Sequence, residues 1–88
     1  MIAVRVTVHG RVQGVFFRAE TKRRADRAGV AGWVRNAPAG TVEAVFEGEA
    51  DAVERLVDFC RLGPPSAAVK RIEIEEEEAQ RLLDFEVR

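Results

Sequence analysis

Few side chains in this sequence are equipped for nucleophilic or acid–base chemistry. It holds one histidine (His9), one cysteine (Cys60), one serine (Ser66) and no tyrosine, so serine–histidine and cysteine–histidine schemes have almost no members to draw on. Cys60 falls in register with an apolar stripe, away from the exposure and positive neighbour that make a thiol reactive, and reads as core. Ser66 follows two prolines with no base beside it and reads as a loop hydroxyl. His9 ends an alternating strand on the parity opposite the apolar residues and reads as a surface side chain. The scattered carboxylates show no ligand spacing and a single cysteine excludes a cysteine cage, so no metal is expected.

What remains is Gly10-Arg11-Val12-Gln13-Gly14-Val15-Phe16-Phe17-Arg18, a glycine-containing junction between a strand and a helix. Backbone amides in such a turn can converge on an anion, and the helix N-terminus adds partial positive charge. Arg18 would close the cradle with a planar fork able to donate two parallel hydrogen bonds to a phosphate. Spacing alone leaves two readings open, a steric turn or a phosphate cradle, because the segment lacks the Lys-Ser/Thr of a P-loop and is not a dinucleotide fingerprint. Val15-Phe16-Phe17 fits either as core anchors that pin the loop. Asn36, the sole asparagine, suits a plain turn residue just before a hairpin.

The elements that must position these residues follow from periodicity. Ile2, Val4, Val6 and Val8 alternate with smaller or polar residues, the mark of a half-buried strand with those four inward. An Arg- and Ala-rich segment from about Arg18 to Ala28 favours a helix that Gly29 ends, with a narrow stripe at Ala25 and Ala28. Ala31 to Ala37 and Thr41 to Gly48 read as strands joined through Pro38-Ala39-Gly40. Val53, Leu56, Val57 and Cys60 fall at i, i+3, i+4 and i+7, a helical stripe stopped by Gly63-Pro64-Pro65. Ala68 to about Glu77 supplies a fourth strand with Ile72 and Ile74 inward, and after a turn near Ala79-Gln80 a short strand runs from Leu82 to Val87. The order βαββαβ plus an extra strand implies an α+β, ferredoxin-like sandwich: two helices on one face of a mostly antiparallel sheet, the other face open to water.

With 88 residues, 47% hydrophobic and 33% charged, the chain is expected to form one domain over residues 1–88. No apolar run approaches the ~20 residues that span a bilayer, and no signal segment opens the chain; a cytoplasmic setting is expected. The net charge of −1 conceals an asymmetry of +6 over residues 1–40 and −7 over residues 41–88, which suits pairing across a fold or positive potential around a small anion.

The motif Gly10-x-Val12-Gln13-Gly14-Val15-x-Phe17-Arg18 resembles the signature of the acylphosphatase family. Gly32-Trp33-Val34-Arg35-Asn36 and Gly40-x-Val42-Glu43 continue the likeness, as do Gly63-Pro64-Pro65 and Phe85-Glu86-Val87-Arg88. The resemblance implies a ferredoxin-like fold and hydrolysis of acyl phosphates to a carboxylate and inorganic phosphate. It implies that Arg18 binds phosphate, that Asn36 holds the attacking water, and that the amides of Gln13, Gly14, Val15, Phe16, Phe17 and Arg18 form the cradle. It further implies no metal, no cofactor and no covalent intermediate; we expect a monomer with no membrane or nucleic-acid partner. Ala39 departs from the polar turn former often found there. RNA-recognition domains share the βαββαβ order, but the open-face positions Arg5, Thr7, His9, Glu43, Val45 and Glu47 include glutamates and no aromatic for base stacking.

Overall fold

The computed structural model describes all 88 residues. The elements are β1 (Ile2–Arg11), α1 (Phe17–Ala28), β2 (Ala31–Asn36), β3 (Val42–Gly48), α2 (Ala50–Leu62), β4 (Ala68–Glu76) and β5 (Phe85–Val87). The five strands form one sheet in the order β4-β1-β3-β2-β5. Its pairings are antiparallel except for β2 with β5. The ferredoxin-like α+β arrangement expected from the alternation and the helical stripes is the one observed.

The core lies between the helices and one face of the sheet. Val6 and Val8 of β1, Val34 of β2, and Val42, Ala44 and Phe46 of β3 meet Val53, Leu56, Val57, Phe59 and Cys60 of α2. From α1 come Phe17, Thr21 and Ala25, one turn apart along a single stripe. Thr21 fits there because its hydroxyl donates to the Phe17 carbonyl at 2.7 Å, which satisfies its only polar group within the helix. Ala28 packs at the core's margin.

The open face is less open than the alternation implies. The segment between β4 and β5 crosses it at the end of the sheet remote from α1's N-terminus. The Glu77 N–H donates to the Ala3 carbonyl at 3.0 Å. Beneath the crossing, Glu47 is only 2% exposed, and its carboxylate accepts the Gln80 N–H at 2.6 Å and the Leu82 N–H at 2.7 Å. The strap buries Ala3 as well, whereas Ile2, expected inward, lies at the strand's outer end and is exposed. Because Leu82–Asp84 belongs to the strap, the last strand begins at Phe85 and not at Leu82. Ile74, also expected inward, sits on the edge strand β4, which has a neighbour on one side only, and is exposed.

Candidate active site

The loop between β1 and α1 is anchored before it is shaped. At its entrance the ladder between β1 and β4 shifts register at His9/Gly10. Gly10 has φ +133°, and a Cβ there would lie 2.2 Å from the Ala68 carbonyl oxygen. Only glycine admits that approach. Val12 is 1% and Phe17 2% exposed, and the Phe17 ring packs against Phe59 at 5.7 Å between centroids. Ser66 adds a tie from across the fold, its hydroxyl donating to the Val15 carbonyl at 3.1 Å. Ser66 is a loop hydroxyl, as its place after two prolines suggests, and its residue type alone does not disclose this contact.

Between these anchors the backbone takes an alternating form. Gly14 (φ +72°) and Phe16 (φ +65°) are left-handed, an arrangement that turns successive N–H groups toward one side. Phe16 is also the N-cap of α1, and no side chain caps that helix. The first-turn amides therefore face the loop with the positive end of the helix dipole behind them. Arg18 lies in that first turn, half-buried. Its neighbours Arg23 and Arg24 pair with Glu20, while Arg18 pairs with no carboxylate and lines a cleft of about 390 Å³ with Val12, Gly14, Phe16 and Val87. Of the three expected apolar anchors, Phe17 is buried and Val15 packs partly against the core. Phe16 is not an anchor: it is 76% exposed, standing at the left-handed N-cap of α1.

Asn36 ends β2, pairing with Val42, on the same parity as the fully buried Val34. Its Oδ1 is buried and accepts no hydrogen bond from the protein, an expensive state for an amide oxygen unless a small polar molecule supplies the donor. Gln13 joins Asn36's hairpin to the loop between β1 and α1. Its side-chain amide donates to the Ala37 carbonyl at 2.9 Å and to the Thr41 carbonyl at 3.0 Å, gripping the residue next to Asn36. On the other side Val87, which lines the Arg18 cleft, pairs with Val34. The Gln13 side chain thus ties the loop from Gln13 to Arg18 to the end of β2 where Asn36 stands, while Asn36 borders a different depression from the one Arg18 lines, together with Arg5, Trp33, Arg35 and Arg88. The side-chain role of Gln13 escapes sequence reasoning, because its partners are backbone carbonyls of residues whose types carry no signal.

Other titratable groups stand apart. Cys60 is fully buried, and burial pushes its thiol up to about 12, so it cannot serve as a thiolate near neutrality. His9 contacts Glu73 at 2.6 Å. Glu43 on the open face bridges Arg5 and Arg35, each at 2.7 Å; burial alone would raise its carboxyl, but the hydrogen bonds from Arg35 and Arg5 outweigh that and hold it below the usual range. The open face is not free of aromatics as the parity of the first and third strands suggests. Trp33 of β2 lies there, with the guanidinium carbons of Arg88, Arg5 and Arg35 at 5.1, 5.4 and 5.7 Å from its ring. That surface of the ring is engaged by cations.

The fold and the loop define a ferredoxin-like α+β protein whose strand–helix junction carries uncapped helix amides and an arginine without a carboxylate partner. The acylphosphatase family model matches residues 4–87. An acylphosphatase of Rubrobacter xylanophilus is 63% identical over 86 residues, covering 97% of this chain and 78% of that protein. Among solved structures, an acylphosphatase from Coxiella burnetii superposes with a TM-score of 0.94 at 41% identity, over 99% of this chain and 92% of that one. The acylphosphatase from Bacillus subtilis gives 0.95 at 35% identity, over 100% and 99%. The chain belongs to the acylphosphatase family, and is with it an enzyme of the hydrolase class. No helix is long and apolar enough to cross a membrane.

Proposed function

We propose that this protein hydrolyses the carboxyl–phosphate bond of small acyl phosphates by direct in-line attack of water, releasing a carboxylate and inorganic phosphate. The amides of Gln13 to Arg18 and the Arg18 guanidinium hold the phosphoryl oxygens, where their fixed dipoles stabilise charge that grows in the transition state. Asn36 Oδ1 accepts a hydrogen bond from the attacking water and aims it at phosphorus. The water oxygen–phosphorus bond forms, the bond to the acyl oxygen breaks, and its electron pair leaves with the carboxylate. The water proton passes to a phosphoryl oxygen and the excess to solvent. A carboxylate is a good leaving group, so positioning and charge stabilisation suffice, and no metal or cofactor is needed in the scheme.

The observation that carries this reading is the buried, unpartnered Oδ1 of Asn36 beside a hairpin tied by Gln13 to the cradle. Support also comes from the side chains that would otherwise act as nucleophiles: Cys60 is buried, Ser66 donates to Val15, and His9 is bound to Glu73. A small substrate taken up by a cytoplasmic monomer completes the proposal. The test is hydrolysis of benzoyl phosphate in ¹⁸O-water with a chelator present. The expected result is turnover with label in inorganic phosphate, lowered ~10²–10³-fold in Arg18→Ala. No native turnover, loss of activity to the chelator, or label in benzoate would sink it.

A further inference from the structure

Phe16 is an unusual residue for its position. Helix N-caps favour Ser, Thr, Asp, Asn or Gly, and left-handed backbone is costly for a bulky side chain, yet an aromatic stands here at φ +65°. The loop's shape does not require the ring, because a glycine would adopt the same backbone without strain. Nor does the core require it: Val12 and Phe17 supply the anchoring, and Phe16 is 76% exposed. A large apolar side chain held in water on strained backbone is a feature with a cost and no structural return in the free protein.

The ring nonetheless borders a particular place. It lines the same cleft as Gly14 and Arg18, whose other walls are Val12, Phe17, Ala19 and Val87. The cradle end of this cleft is polar and cationic, while most of the remaining wall is apolar. A ligand fitting both parts carries an anionic head and an apolar body joined directly to it, which describes an acyl phosphate with an apolar acyl group.

We infer that Phe16 is a specificity-determining residue, its ring packing against the acyl group while the phosphoryl group sits on the cradle, so that aromatic and other bulky apolar acyl phosphates are preferred over acetyl phosphate. This rests on the hydrolytic reading above. The strained backbone fixes the ring at the cleft's lip, and ordering it costs little because a phenylalanine side chain has only two rotatable bonds.

The test compares kcat/KM for benzoyl phosphate and acetyl phosphate in the native protein, Phe16→Gly and Phe16→Leu, with inhibition by inorganic phosphate as a separate report on the cradle. Glycine tolerates the left-handed backbone, so the variant is expected to fold. The native protein should favour benzoyl phosphate, and that preference should fall about tenfold in Phe16→Gly, on the scale by which apolar pockets discriminate. Phe16→Leu should recover part of it, and phosphate inhibition should move less than the benzoyl rate. A benzoyl-to-acetyl ratio unchanged in Phe16→Gly, with hydrolysis intact, would overturn the role of Phe16 alone. Both substrates and phosphate inhibition weakening in parallel would overturn it too, as the mark of a merely structural residue. Absence of hydrolysis in the native protein would instead remove the reading beneath it.

Discussion

Replacing Gln13 by alanine removes the one side chain that spans the cradle and the Asn36 hairpin. Its two hydrogen bonds, at 2.9 and 3.0 Å, run from a neutral amide to backbone carbonyls in a half-buried setting, and bonds of that kind contribute about 1–2 kcal/mol together. The hairpin should survive, because the Ala37 carbonyl still accepts the Gly40 N–H at 3.1 Å and the Thr41 carbonyl the Ala37 N–H at 2.8 Å. In the proposed mechanism the lost energy falls on the alignment of Asn36 with the bound phosphoryl group. If all of it appears in the transition state, kcat drops about 5–30-fold. The Gln13 backbone N–H remains, so the inhibition constant for inorganic phosphate should change less than threefold, roughly. Steady-state kinetics on benzoyl phosphate with phosphate as inhibitor measures both. An unchanged kcat, or a loss of phosphate affinity equal to the loss of kcat, would refute the idea that Gln13 aligns two halves of one site.

Glu47→Ala leaves the Gln80 and Leu82 N–H groups of the strap without their shared acceptor, and should lower stability by about 2–4 kcal/mol in urea unfolding while sparing activity per folded molecule; a loss under about 1 kcal/mol would contradict the strap's role. The Glu43 carboxyl is held below its usual range in the folded protein, so its contribution is present above about pH 4.5 and lost as pH falls through the folded value. Glu43→Gln should therefore be less stable than the native protein at pH 7 and fall less steeply on acidification. Parallel stability–pH curves for the two would show that the Arg5–Glu43–Arg35 bridge does not carry the effect.

Local periodicity made the elements legible. Val6 and Val8 are buried as the alternation in β1 requires, and Val53, Leu56, Val57 and Cys60 all face the core as their spacing requires. Reading failed where burial depends on chain that arrives from far away. Ala3 and Glu47 are covered by a strap more than 30 residues beyond Glu47, and nothing near either residue announces it. Phe16 departs from expectation for a different reason: an apolar residue type does not by itself reveal that its backbone is left-handed and its side chain exposed. The loop's unusual backbone was visible as two glycines at a strand–helix junction, both of which take positive φ. Asn36 is singled out by the family motif alone, since by its residue type it reads first as a turn former. The ties that bind them, from Gln13 to Ala37 and Thr41 and from Ser66 to Val15, are contacts with carbonyl oxygens and leave no trace in residue identity.

The division of labour between the cradle and Asn36 is the centre of this account. It is tested most directly by measuring phosphate affinity by calorimetry and kcat on benzoyl phosphate in the native protein, Arg18→Ala and Asn36→Ala. Arg18→Ala should lose phosphate affinity and turnover together, whereas Asn36→Ala should bind phosphate within about threefold of native and lose kcat by ~10²-fold or more. An Asn36→Ala protein that turns over at the native rate, or that loses phosphate affinity as fully as Arg18→Ala, would contradict the assignment of the water to Asn36.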